Sequence, residues 1–409
     1  MRSIDSEVRA RPEWPLDILD VRGLIRNGWR PTPITHYVLK INSRCNLACS
    51  YCYIYEKGDE SWRARPRRMS EDTLSAAVAR IAEHTAEHSV ERVNIVFHGG
   101  EPLLSGVEYI GSAVTRVRES LPSGTTLAAT VQTNGVLLDE ATLDGLLRHA
   151  VRVGVSVDGT PEAHDRQRRF ADGRPSSTEV EAGIRRLAAP RYRAIYGGLL
   201  CVVDLAEDPI GVYKYLRSFG PPRMDFLLPH GDWHNRPPAR ADDGTHPYSD
   251  WLTRIFDHWY VSGPPRPGIR LFEEIIHLLL GGNSRTEAVG VSPAATLVIE
   301  TDGAIEQVDS LRSAYPGAAA TGLHILRDPV DAALLHAGVA ARQIGVDALA
   351  DECRRCLFAR ICGGGFYGHR YRAGHGFRNP SVYCPDLFAL IDHIRTRIDV
   401  DLHARRRAR

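Results

Sequence analysis

From residue 34 to about residue 229, short apolar runs alternate with longer amphipathic stretches. The runs at 34–41, 92–97, 126–131, 152–157, 195–203 and 224–228 are bounded by polar or turn-forming residues and are too short for core helices, so they predict strands. Between them, 71–87, 139–149 and 177–188 place apolar residues every three to four positions, the period of one helix face. Neighbouring parallel strands need a crossover, and strand–helix alternation supplies it. The six strands therefore predict an α/β fold, a partial (β/α)6 TIM-like barrel, with its chemistry on the loops that follow the strand C-termini.

The pattern changes at residue 230. Residues 230–247 are rich in Pro, His, Asp and Arg and read as a long loop. Helices are predicted at 248–261 and 270–280, and a hairpin at 296–300 and 304–308 around Asp302-Gly303. The organisation expected is an N-terminal arm over 1–33, a core over 34–229, a bridging segment over 230–345 and a Cys-rich domain over 346–409. The basic tail at 405–409 reads as a solvated helix end.

Composition narrows the classes. With 43% hydrophobic residues in 409, the chain can bury a large core. A formal net charge of +1 provides no global field for nucleic acid or an acidic membrane. Of the 51 basic residues only Lys40, Lys57 and Lys214 are lysine, a bias that reads as high-GC coding rather than a phosphate-binding surface. The first 20 residues lack an apolar signal-peptide region, and no apolar run reaches about 18 residues, so a cytoplasmic protein without a membrane span is expected. Its eight Cys should then be thiols or metal ligands.

Seven of those Cys fall into two sets. Cys45, Cys49 and Cys52 follow the first predicted strand in CxxxCxxC spacing. Three thiolates can hold three irons of a cubane and leave the fourth iron open. That vacancy is what radical S-adenosylmethionine (SAM) chemistry needs, since the methionine end of SAM can chelate it. A zinc site would need a fourth ligand, for which His36 is the nearest candidate. One strand later, Gly99, Gly100, Glu101 and Pro102 resemble the "GGEP" motif of radical SAM enzymes. The glycines permit close backbone approach, and Glu101 offers an acceptor for the methionine ammonium. Gln132 and Asn134, then Ser156 and Asp158, put polar groups on two further strand ends. By the resemblance, Ser156 serves the SAM carboxylate, Asp158 its ribose region, and Arg168 or Arg169 pairs with the carboxylate, with Tyr51 packed beside the cluster.

The second set is Cys353, Cys356 and Cys362 in CxxCx5C spacing, closed by Cys384. Spacing alone allows zinc or an iron–sulfur cluster. After a radical SAM core, the run resembles the SPASM extension, whose members carry auxiliary [4Fe–4S] clusters. A full SPASM domain continues CxxCx5Cx3C and has further Cys upstream. Here the last position is Phe366, and no Cys lies between Cys201 and Cys353, so one auxiliary cluster is expected. Cys201 itself, in an apolar run, reads as a buried strand residue.

Further stretches, among them 226–230, 297–303, 362–371 and 379–384, resemble the FxsB-type radical SAM/SPASM maturases over roughly residues 34–395. The resemblance implies a ribosomally made precursor peptide as substrate and a three-residue cyclophane as product, joining an aromatic ring to a nearby β-carbon. It also implies a flavodoxin- or ferredoxin-like electron donor. The auxiliary cluster would take the last electron, and Asp225, His230, Asp232 or Glu300 the proton. The precursor is expected at the barrel mouth, at 230–280 or on a strand edge. Rival readings are thioether crosslinking, formylglycine formation, or a non-catalytic zinc-bearing peptide-binding protein. The single auxiliary set counts against formylglycine formation, whose enzymes resemble a two-cluster SPASM pattern.

Overall fold

The computed structural model describes residues 13–240, 243–263 and 265–407. The first 12 residues of the expected arm and the last two of the basic tail lie outside it. The six expected strands form in chain order: β1 (His36–Asn42), β2 (Arg92–Gly99), β3 (Thr126–Thr133), β4 (Arg152–Ser156), β5 (Tyr196–Val202) and β6 (Arg223–Leu227). Each pairs in parallel with the next. The crossovers carry α1 (Glu71–Glu87), α2 (Val107–Ser120), α3 (Glu140–Arg148), α4 (Ser177–Leu187) and α5 (Pro209–Ser218). Ser70, Asp139 and Asp208 cap α1, α3 and α5 by accepting from the backbone N–H three residues on, which satisfies an otherwise orphaned donor.

The sheet continues past both ends of this run. After α6 (Pro247–Val261), the short β7 (Gly268–Ile269) pairs with β6 and leads into α7 (Arg270–Leu279). On the other side β8 (Thr296–Ile299) lies parallel to β1 and forms the expected hairpin with β9 (Ala304–Glu306), which β10 (Ala320–His324) flanks. The order among the described residues is β10-β9-β8-β1-β2-β3-β4-β5-β6-β7. The chain ends in α8 (Cys384–Arg407), which packs on α6 and α7.

The period-two alternation of the strands sorts their side chains. On β2, Val93, Ile95 and Phe97 are fully buried against the helices, and the intervening positions, ending in His98, face the interior of the curved sheet. Gln132 on β3 and Ser156 on β4 share that interior face.

A buried ionic network ties the hairpin to β1. Lys40 reaches Glu300 at 3.1 Å and Asp309 at 3.2 Å. Arg65 and Arg312 both pair with Glu300 and Glu306 at 2.6–2.9 Å. Arg312 also meets Asp59 at 3.4 Å and Arg65 meets Asp302 at 3.5 Å, and this mutual pairing is what lets so many charges lie inside a protein.

Candidate active site

The loop after β1 carries Cys45, Cys49 and Cys52 over the C-terminal end of the sheet. It is held from one side by residues 167–170: Ala48 N–H donates to the Arg169 carbonyl at 2.7 Å and Ser50 N–H to that of Gln167 at 2.9 Å. From the other side, the 99–100 turn presses against the chain. A Cβ on Gly99 would run into the Asn42 carbonyl, and one on Gly100 into Arg44 and the Tyr55 hydroxyl. Both positions therefore require glycine.

The three thiols face a cavity of about 320 Å3. Gly99, Gly100, Gln132, Asn134, Ser156, Asp158 and Arg168 line the same space from the ends of β2 to β4 and the segment after them. Gln132 donates to Ser156 Oγ at 2.9 Å, and Asn134 donates to Asn46 Oδ1 at 2.7 Å and sits 3.8 Å from Cys45 Sγ. Arg168 donates to the Tyr51 hydroxyl at 2.6 Å, and Tyr51 in turn donates to Asp158. Burial pushes the Asp158 carboxyl up, against the pull of Arg168. Arg168 Nε is buried without a hydrogen-bond partner, a cation with unused donor capacity beside the cavity.

Two expected contacts fall elsewhere. Glu101 lines no part of the cavity: it lies fully buried behind the turn, accepting from Leu103 N–H (3.0 Å), Thr133 Oγ (2.8 Å) and Asn134 N–H (2.8 Å). It braces the ends of β2 and β3, and those three donors fill the carboxylate that was expected to meet an ammonium. Arg169 is exposed and donates to the Gly173 carbonyl, because consecutive residues leave the chain in different directions and Arg168 takes the inward one.

Of the four proton-acceptor candidates, only His230 lines the cavity. Glu300 is held by Lys40, Arg65 and Arg312. Asp225 pairs with Arg270 at 2.7 Å and accepts from Leu271 N–H. Asp232 Oδ1 accepts from the N–H groups of His234 and Asn235, a turn closure. Asp225 and Glu300 are thus occupied by cations, while Asp232 closes its turn through Oδ1 and leaves Oδ2 buried without a partner. His230 packs edge-on against Tyr53 at 4.9 Å, and burial lowers its pKa to about 4, so the ring is neutral. Tyr53, His98 and Thr133, each next to a motif residue, line the cavity as well, and so does Tyr55, which no motif marks.

The second set converges too. Cys353, Cys356, Cys362 and Cys384 surround a cavity of about 170 Å3, closed by Phe358 and Phe388. Cys384 is brought there as the first residue of α8. Burial pushes the Cys362 thiol up to about 12 and that of Cys353 to about 11, so binding of a metal centre must expel their protons.

Tetrahedral zinc, with Zn–S near 2.3 Å, would hold its sulfurs about 3.8 Å apart. Among the described residues the one group of three donors within 4.8 Å of one another is His84, His88 and Asp331; neither cysteine set is that tight. Both sets line a void instead. His36, the alternative zinc ligand, is exposed at the far end of β1 from Cys45. The His84 group is a clamp between α1 and the segment at Asp331: His84 Nε2 accepts from Ile34 N–H, so its proton sits on Nδ1, facing Asp331.

Residues 39–200 match the family model of the Radical SAM superfamily. That stretch is a radical SAM domain. Radical SAM enzymes work with S-adenosylmethionine and an iron–sulfur cluster, and the loop of Cys45, Cys49 and Cys52 offers the three thiols that such a cluster would need. The chain is 25% identical over 345 residues to a cysteine-type anaerobic sulfatase-maturating enzyme of Clostridium perfringens, covering 81% of this chain and 88% of that one. A serine-type anaerobic sulfatase-maturating enzyme of Bacteroides thetaiotaomicron is 23% identical over 391 residues, with 90% and 91% covered. In fold, the chain resembles the solved structure of anSMEcpe with bound AdoMet, with a TM-score of 0.73, 22% identity, and 90% and 98% of the two chains covered. It also resembles Streptococcus suis SuiB bound to its precursor peptide SuiA, with a TM-score of 0.55 at 13% identity over 88% and 77%. No helix among the described residues is long and apolar enough to cross a membrane.

Proposed function

We propose that this radical SAM enzyme is a peptide maturase that joins an aromatic ring of its substrate to a nearby β-carbon. The observation carrying this reading is the pairing of one open and one closed cysteine site. Three thiols face the 320 Å3 cavity, and a separate set of four closes around its own void. With the cofactors bound, the open site supplies a carbon-centred radical for hydrogen abstraction and the closed site an acceptor for one electron.

The chain's own residues hold and orient. Gly99 and Gly100 give backbone access to the methionine end of SAM, Ser156 and Arg168 meet its carboxylate, and Asp158 with Gln132 and Asn134 borders the ribose. Arg168 also keeps the Tyr51–Asp158 pair in place. His230 is the proton acceptor. A ring that has gained a carbon substituent and lost an electron sheds a very acidic proton, so a weak base suffices, and the depressed basicity of His230 matches that task. The peptide loses two hydrogens in all, one as an atom and one as a proton and an electron. An external one-electron donor of the flavodoxin or ferredoxin type would prime the open site, and return of the electron from the closed site to the open one would leave each turnover redox-neutral.

Formylglycine formation is the second reading, favoured by the similarity to the two sulfatase-maturating enzymes. Against it stands Phe366, where a two-cluster pattern has Cys. Co-expression with the short open reading frame beside the gene distinguishes the readings. A loss of two hydrogens mapped to an aromatic-centred tripeptide, inert to hydrazine, is expected. An unchanged mass, a loss of sulfur, or a hydrazine-reactive aldehyde overturns the crosslink.

A further inference from the structure

A second chamber of about 190 Å3 adjoins the reaction cavity at His230 and shares Leu227, Leu228 and His230 with it. One wall is apolar, built from Phe226, Leu271, Phe366 and Leu387, while the Asp225–Arg270 ion pair and Glu287 line the rim elsewhere. Phe366 occupies the position at which a full SPASM pattern has its next Cys, and no thiol lines the chamber. It therefore cannot hold a cluster. A protein cavity of roughly 150 Å3 with apolar walls takes up benzene, so one aromatic ring fits here.

The end of the chamber is not purely apolar. His230, Phe366 and His369 stand ring against ring, with centroids 5.2–5.8 Å apart. His230 Nδ1 and His369 Nε2 are both buried with no hydrogen-bond partner. A buried polar atom left unpaired costs about 1–3 kcal/mol, a cost removed when a guest brings its own hydroxyl or N–H. The surrounding ring edges and faces suit an aromatic guest.

We propose that this chamber is the subsite for a substrate side chain that is both aromatic and polar, a tyrosine or tryptophan, whose hydroxyl or N–H meets His230 or His369. The assignment rests on the peptide-maturase reading and specifies it: the ring enters the chamber, and the backbone and β-carbons around it stay at the neck formed by Leu227, Leu228 and His230, facing the cysteine loop.

Small probes test it without peptide chemistry. Holoenzyme carrying both clusters and SAM is titrated with 4-methylphenol, 3-methylindole and toluene, and binding is read by ligand-observed NMR. The two polar probes should bind about tenfold or more tightly than toluene. Ala288→Trp, which fills the chamber from its wall, should abolish binding of all three. His369→Phe should bring 4-methylphenol toward the affinity of toluene. If Ala288→Trp loses iron on reconstitution, the smaller filling variant Ala288→Leu is read in its place, with weakened binding expected. Equal affinities for the three probes, no binding at all, or binding that survives the filled chamber overturns the proposal. A precursor that emerges unmodified from co-expression would sink the maturase reading and leave the probe result standing; probes that fail to bind would do the reverse.

Discussion

Arg168 concentrates much of what a single side chain does in this site. It is buried, hydrogen-bonded to Tyr51, 3.9 Å from Asp158, and has a free Nε donor beside the cavity. A charge-assisted hydrogen bond is worth about 1.5–3 kcal/mol. Arg168→Gln should therefore weaken SAM binding by about ten- to a hundredfold, measured by equilibrium dialysis on holoenzyme, with the iron content kept. Undiminished affinity would remove Arg168 from the SAM site. The sequence left Arg168 and Arg169 equivalent. Only the backbone direction at the end of the short helix Pro161–Gln167, with the Arg169 carbonyl turned to Ala48, separates them. Glu101 makes the same point in reverse. Its motif was legible, but its three buried donors come from a 3-10 turn and a neighbouring strand that only folding assembles.

Between elements, the cysteine loop depends on close packing against the 99–100 turn. Gly100→Ala would push Arg44 and Tyr55 apart from it. Reconstitution of that variant should lose the iron of the first site, about half the total, while the four-thiol site still loads; full iron would show that the loop tolerates the displacement. The hairpin makes a different demand. Arg312 is 1% exposed and holds Glu300 and Glu306. Removing one partner of a buried ion pair costs about 3–5 kcal/mol because the other charge is stranded. Arg312→Met should lower the stability read by urea denaturation by roughly that amount, and a variant as stable as the parent would show the network to be dispensable. Periodicity gave α1, α4 and most strands to within two residues, yet it passed over α2 and α5. Within α2, Gly111 makes room for the His149 ring, a contact that no local pattern reveals.

For the molecule as a whole, the two cysteine sites predict an iron count. Anaerobic reconstitution should yield about eight irons per chain if both hold cubanes. Cys384→Ala should lower that number and the yield of modified peptide while 5′-deoxyadenosine release persists; zinc in place of iron would overturn the cluster assignment. Sequence alone determined the parallel α/β core and the two thiol sets, because strand period, helix period and Cys spacing are local properties that survive without knowledge of contacts. It could not decide which groups face one another. The chamber behind His230 joins β6, the 286–288 loop, residues 366–369 and α8, segments up to about 160 positions apart. Of the carboxylates offered as bases, Asp225 and Glu300 meet cations brought from other elements, and Asp232 closes a turn outside the reaction cavity. Those outcomes follow from how the sheet curves and closes, and burial, pairing and cavity shape exist only once it has.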